Sequence, residues 1–259
     1  MFHPAGGPRF RLRPHCPNSP QVGQPLRSRG LSCTALSSRL VSPLAPPLIV
    51  TVDGPSGTGK STVSKAVAKG AGLPHLDTGA FYRAVTLAVL RAGVDPTDGR
   101  SVSRVAARLD LGQEEGRMFL EGADVSEEIR QDDVTTAVSA VSAHPEVRAH
   151  LVEMQRAWVA EHGRRGVVEG RDIGSVVFPD ATLKIFLDAA PEVRAARRAG
   201  ETGENLEDVL ADINRRDHFD SSRSASPLIV PDGAVVVDTS ESTFDQVVAR
   251  LLAMIQAKS

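Results

Sequence analysis

The sequence predicts an α/β fold built on a doubly wound, five-stranded parallel sheet, and three observations predict it. From Leu48 onward, short runs rich in β-branched residues alternate with longer stretches of helical pattern, the sequence form of a parallel sheet covered by helices. Five such runs occur, and the first leads straight into a glycine-rich loop. The chain of 259 residues, 41% hydrophobic and 24% charged, is long and apolar enough for one substantial core.

The strands expected are Leu48 to Asp53, Leu73 to Asp77, Gly166 to Glu169, Thr182 to Asp188 and Ala234 to Asp238, each followed by a helix. Between about Asp95 and Arg148 the pattern changes. A polar segment there leads into a hairpin, Arg117 to Leu120 and Ala123 to Val125, around Glu121-Gly122, and reads as an inserted subdomain. The densest apolar stretches have strand length and no run of eighteen apolar residues occurs, so no membrane span is expected. The seven histidines are scattered, with no pair at ligand spacing beside a carboxylate or Cys, which argues against a transition-metal site.

Composition changes near Pro47. Residues 1–47 contain no Asp, Glu or Lys but six Arg, six Ser and nine of the seventeen prolines, a segment unable to bury a core of its own. Its composition is that of a transit peptide, but its prolines break any long amphipathic helix, and it reads best as a disordered leader or the product of a wrongly chosen start. Both cysteines, Cys16 and Cys33, lie in it, leaving the folded part without a disulfide framework and compatible with a reducing, cytoplasmic setting. Removing its six positive charges from the formal −2 leaves −8 for the rest, so no bulk basic field exists to gather a nucleic-acid polymer and any polyanion site must be local. Nothing in the sequence requires an oligomer, and a monomer is expected.

Gly54-Pro55-Ser56-Gly57-Thr58-Gly59-Lys60-Ser61, continued by Thr62, matches G-x-x-x-x-G-K-[ST] between an apolar strand and a helix, the context that pattern needs. Its glycines let successive amides turn toward one anion, and the helix N-terminus adds partial positive charge. Lys60 would reach the β- and γ-phosphates, and the Ser61 hydroxyl can ligate Mg²⁺. The loop predicts binding of ATP or GTP; no N-K-x-D box for reading guanine occurs, which disfavours a GTPase switch, and the small size favours a kinase of a small acceptor.

Three further segments make the resemblance specific: Ile49 to Gly57; Leu76-Asp77-Thr78-Gly79-Ala80-Phe81-Tyr82-Arg83-Ala84; and Glu169-Gly170-Arg171-Asp172-Ile173-Gly174 with Val176-Val177-Phe178-Pro179-Asp180-Ala181. With Val125 to Arg130 and Ser226-Pro227-Leu228, in this order and spacing, the chain from 48 to 259 resembles the bacterial cytidylate kinases. The resemblance implies a P-loop NTPase-type core, an NMP-binding subdomain at about 95–148 and an arginine-bearing lid at about 190–205. It implies transfer of the ATP γ-phosphoryl group to CMP or dCMP, with Mg²⁺. By the same resemblance Thr78, Arg148, Asp172 and Arg223 surround the cytosine, Arg83 and Arg171 hold the acceptor phosphate, and Ser139, Arg216 and Asp220 lie near the ribose. A carboxylate such as Asp172 accepts from the exocyclic amine of cytosine, where uracil would present an oxygen.

Read from the residues alone, these positions stay open. Thr78 and Asp172 fall just past strand ends, where open parallel sheets bind ligands, but an Arg171-Asp172 pair also suits a surface ion pair and a helix cap. Arg216, Asp220 and Arg223, spaced four and three apart, form one helical stripe beside Leu206, Val209, Leu210 and Ile213; the plainer reading is an Arg216–Asp220 pair within the helix, and Asp217 is left unexplained. Arg194, Arg197 and Arg198, ahead of Gly200 to Asn205, supply the lid, with Arg197 and Arg198 taken beside Lys60 and Arg171 as the charges on the transferred group. Two other readings compete: a kinase of another acceptor such as UMP or shikimate, and a nucleotide-binding module without turnover.

Overall fold

The computed structural model describes residues 46–223 and 226–258. Apart from Pro46 and Pro47, the leader with Cys16 and Cys33 lies outside the described residues. In chain order the elements are β1 (Leu48–Asp53), α1 (Lys60–Ala71), β2 (His75–Asp77), α2 (Thr78–Arg91), α3 (Gly99–Ala106), β3 (Leu111–Glu114), β4 (Arg117–Leu120), β5 (Ala123–Asp124), α4 (Asp132–Ser142), α5 (Pro145–Glu161), β6 (Arg165–Glu169), β7 (Leu183–Asp188), α6 (Pro191–Thr202), α7 (Leu206–Ser221), β8 (Val235–Asp238) and α8 (Phe244–Gln256). A 3₁₀ turn, Glu128–Arg130, precedes α4, and one π-helical turn, Ile173–Val177, follows β6.

Five strands form a parallel sheet in the order β2-β6-β1-β7-β8, as the alternating pattern predicts. Register puts Val52 of β1 and Asp77 of β2 on either side of Glu169 of β6, which brings the carboxyl ends of three strands to one edge. Leu48, Val50 and Val52 pack with Val63 and Val67 of α1 and Leu251 of α8 on one face of the sheet. Ile49, Leu76 and Val168 pack on the other with Phe81 and Val85 of α2 and Leu151 and Trp158 of α5. Burying each such aliphatic or aromatic side chain contributes about 1.5–3 kcal/mol, so both faces of β1 anchor the edge that follows it.

The expected strands hold within two residues. β2 starts at His75 rather than Leu73 because the Leu73 amide is spent closing α1 on Ala68 O, and Pro74 has no amide to give. The hairpin turns at Glu121-Gly122 with positive φ at both residues, as its sequence demands. It is joined by a strand that pattern reading overlooks, β3, whose Leu111-Gly-Gln-Glu run looks polar. The link is Glu115-Gly116, the same turn chemistry with the same positive φ values. The inserted segment closes no core of its own: Leu111, Met118, Val125 and Ile129 belong to the cluster that holds Leu76 and Phe81. Arg148, near which the pattern changes back, lies inside α5.

The helical pattern after β7 also needs correction. α6 runs through Gly200 to Thr202, Gly203 ends it in the left-handed conformation, and Asn205 caps α7 by accepting from the Glu207 and Asp208 amides. α7 ends at Ser221, so Arg223 lies beyond the helix, and Leu206 is exposed while Val209 and Ile213 are buried. Arg216 does not pair with Asp220, whose carboxylate is engaged by Arg171 and Arg223.

Candidate active site

The edge where β1, β2 and β6 end opens into a cleft of about 410 Å³. Its donor end is backbone. Gly54 follows β1 at φ 148°, with its α-carbon so close to β7 that an added Cβ would lie 2.1 Å from Leu187 O; only glycine fits. Gly59 sits at the N-cap of α1 with no side-chain cap and no acidic residue in the first turn, so the helix presents its free amides to the cleft beside Ser61 and Thr62. Thr58 is buried and ties the loop to itself by donating to Pro55 O at 3.1 Å. Lys60 lies across the loop and donates to Pro55 O at 2.6 Å. Burial, and next the nearby charge of Arg171, push the Lys60 ammonium down to about 7, a cation that a polyanion would stabilise strongly.

The acceptor end is side chains. Asp77 caps α2 by accepting from Ala80 N, and the first residue of α2, Thr78, donates to Glu169 O at 2.7 Å, joining the ends of β2 and β6. Arg83, one turn on, donates to Ile129 O and Thr135 Oγ1 and so fixes α2 to the insertion. Buried Asp172 accepts from Arg148 at 2.5 Å, while Arg148 also donates to Ser142 O and lies 5.3 Å over the Tyr82 ring. Arg223 pairs with Asp220 and donates to Ser142 Oγ at 3.2 Å. The other oxygen of Asp220 accepts from Arg171 Nε at 2.6 Å, and Arg171 Nη1 donates to Gly54 O at 2.8 Å. One belt of alternating charge, Asp172, Arg148, Ser142, Arg223, Asp220, Arg171, thus runs from the acceptor end back to the phosphate loop.

Asp53 fastens the two ends from beneath. Its carboxylate accepts from the amides of Ile173 and Gly174 at 2.8 and 2.7 Å, holding the π-helical turn behind Arg171 and Asp172 against β1. Burial, only partly offset by those two amides, raises its pKa to about 6.

Of the residues assigned to the site or the lid by sequence, all but four reach the cleft wall, including Ser139, Arg197, Arg198 and Arg216. Gly54, Pro55 and Thr58 stay behind it and act through carbonyls and packing. Arg194 separates from its neighbours: it is 4% exposed and turned away into hydrogen bonds with Ala189 O, Ser56 O and Asp217. Arg197 lines the cleft while holding Thr239 O, and Arg198 and Arg216 line it without an ion-pair partner among the described residues. Pattern reading missed Ser142 and Arg130; Ser142 is one turn from Ser139, and Arg130 closes the Val125 to Arg130 segment. Nine cationic side chains and five carboxylates line the cleft, a formal excess of four positive charges in a chain of net −2, as a local polyanion site requires.

Glu169 stands out in this wall. It is 2% exposed and neither carboxylate oxygen has a hydrogen-bond partner among the described residues, His75 Nε2 lying 3.5 Å from Oε1. A buried carboxylate left without donors fits a cation at the cleft.

Comparison with known proteins places these features in a family. The sequence model of the cytidylate kinases matches residues 50–257. The cytidylate kinase of Mycobacterium leprae (strain Br4923) is 49% identical over 217 residues, covering 82% of this chain and 97% of that protein. Those of Mycolicibacterium paratuberculosis (strain ATCC BAA-968 / K-10) and Corynebacterium glutamicum (strain ATCC 13032) are 52% and 49% identical over 221 residues, covering 82% of this chain and 96% of each relative.

Proposed function

The chain belongs to the cytidylate kinase family and is a kinase of that class, and we propose from this premise that its cleft passes the γ-phosphoryl group of ATP to an α-phosphate oxygen of CMP or dCMP. The bond from the γ-phosphorus to its bridging oxygen breaks, a bond to the acceptor oxygen forms, and ADP leaves with CDP or dCDP. The acceptor oxygen is already anionic, so no general base is needed and the protein's work is positioning and charge neutralisation.

The observation that carries this reading is the buried Arg148–Asp172 pair at the acceptor end of a cationic cleft. Asp172 Oδ2 is held by Arg148, and Oδ1 has no hydrogen-bond partner among the described residues, so it is available to accept from the exocyclic amine of cytosine. Thr78 and Arg223 complete that end, Ser139, Arg216 and Asp220 flank the ribose, and Arg83 and Arg171 hold the acceptor phosphate. At the donor end the amides of Gly57 to Thr62 cradle the ATP phosphates and Lys60 turns from Pro55 O to them. Arg171, Arg197 and Arg198 take up the charge that spreads over the transferred group.

The donor set at the cleft fits Mg²⁺: the Ser61 hydroxyl and the unpartnered Glu169 carboxylate would hold it, directly or through water. When bound, the ion neutralises phosphate charge. We assign 95–148 to NMP binding and about 190–205 to the lid. The cleft is assembled from one chain, which suits a monomer, and small-molecule substrates of nucleotide metabolism suit the cytoplasm. Among the described residues no helix is long and apolar enough to cross a membrane.

The test is Mg²⁺-dependent ADP release from ATP with CMP, dCMP, UMP, AMP or shikimate offered separately, with Lys60→Ala as control. Turnover with CMP and dCMP well above the others, lost in the control, is expected; turnover with none of the five overturns the acceptor assignment.

A further inference from the structure

Arg194 and Asp217 take no part in the cleft wall, yet they are built with care. Arg194 on α6 is 4% exposed, and Asp217 on α7 faces it at 2.5 Å. Between them lies one residue of the phosphate loop. Ser56 N donates to Asp217 Oδ1 at 3.2 Å, and Ser56 O accepts from Arg194 Nη1 at 2.8 Å, so both peptide groups of Ser56 are gripped by the one ion pair. A third bond, Arg194 Nε to Ala189 O, fixes the guanidinium to the end of the β7 segment. Gly57 is pressed against the same side chain: an added Cβ would lie 3.0 Å from Arg194 Cβ.

Packing gives this contact its weight. α6 and α7 share a small core of Ala195, Val209 and Ile213, separate from the two clusters that clothe the sheet. A helix pair with so little apolar anchorage is placed by its polar ties. Arg197 and Arg198 follow Arg194 by one turn of α6, and Arg216 adjoins Asp217 on α7, so the arginines that face the cleft inherit their position from this knot.

We propose that Arg194 and Asp217 are a positioning pair that locks the backbone of Ser56 in the phosphate loop to the lid helices, so that loop amides and lid arginines meet the transferred phosphoryl group as one rigid frame. The proposal rests on the kinase reading above. Neither residue touches a reacting atom. Their work is to keep two sources of positive charge in register, and lost register shows as slower transfer and as more ATP lost to water, since a loose lid admits solvent.

Asp217→Asn tests it. The amide oxygen can still accept from Ser56 N, but the charge that holds Arg194 is gone. With the wild type active on CMP, the expected result is kcat for transfer about 100-fold lower, and a Michaelis constant for CMP within about threefold of wild type. The ratio of acceptor-independent ATP hydrolysis to transfer should rise about tenfold. A folded Asp217→Asn enzyme with wild-type kcat and hydrolysis ratio, changed only in melting temperature, overturns the proposal and leaves the pair a structural one. Where Asp217→Asn does not fold, Arg194→Lys keeps the charge but loses the fork that reaches both Asp217 and Ser56. It should then show the same fall in kcat and rise in hydrolysis ratio, and wild-type values for it overturn the proposal equally. A wild-type enzyme inert toward CMP would instead fault the acceptor assignment, so the two failures are distinguishable.

Discussion

The two ends of the cleft are made in opposite ways. The donor end is eight consecutive residues whose chemistry is almost entirely backbone: amides turned toward one point, a helix terminus left uncapped, and a glycine where a methyl group would meet Leu187 O at 2.1 Å. The acceptor end is drawn from β2, α2, α4, α5, the turn after β6, and α7, and every link described in it is made by a side chain, either to another side chain or to the backbone of a distant element. Recognition by backbone is set by conformation and stays when side chains change. Recognition by side chains is set by long-range partners and fails when one is removed.

That contrast breaks most readily at Gly54. Gly54→Ala should destabilise the protein by more than about 3 kcal/mol, because the added methyl group demands both a shift of β7 and a strained φ. Gly59→Ala, with nothing within 4 Å of the added atom, should cost only about 1–2 kcal/mol for its left-handed φ. Urea unfolding of both variants checks this, and equal midpoints would mean that close approach does not define the loop.

At the acceptor end, Asp172→Asn should lower kcat/KM for CMP about 10–100-fold and narrow the preference over UMP, because an amide offers uracil the donor that a carboxylate denies it. A fall of equal size for both substrates would show that the pair with Arg148 supports the fold and not the choice of base.

The smallest effect sharpens the contrast from beneath. The Asp53 pKa of about 6 lies above the ordinary 3.8, so the folded protein keeps this proton between those values. The group's stabilisation is complete below pH 3.8 and is lost as pH rises through about 6, an effect worth about 3 kcal/mol at most. Wild type should therefore gain melting temperature relative to Asp53→Asn when the buffer moves from pH 7 to pH 5; parallel melting curves at the two pH values would contradict the buried, amide-held carboxylate.

How much of this was legible in the sequence follows from the same contrast. The phosphate loop is contiguous, so its pattern announces it, and Thr78 and Asp172 stand out because strand ends can be placed from alternating patterns. The stripe of Arg216, Asp220 and Arg223 was half right: the residues do meet the cleft, but Asp220 takes its partners from Arg171, 49 residues away, and from Arg223 past the helix end. Asp217 could not be understood from spacing because its partners are Arg194 and the Ser56 amide, 161 residues away. Arg194, Arg197 and Arg198 look alike in sequence and are told apart only by which side of α6 meets the loop. β3 was hidden because its inward residues, Leu111 and Gln113, are half polar, with Gln113 buried to accept the Asp77 amide.

The charged belt has a consequence for how the cleft fills. Arg148, Arg171 and Arg223 have carboxylates of their own, so on the proposed reading a nucleotide would trade places with internal counter-ions and would not enter a bare positive field. Such an exchange returns little for a lone inorganic anion, which can displace one carboxylate but replaces none of the belt's other links. It returns most for a molecule that presents phosphate, sugar and base together. On that reading, selectivity for a whole nucleotide is built into the belt itself.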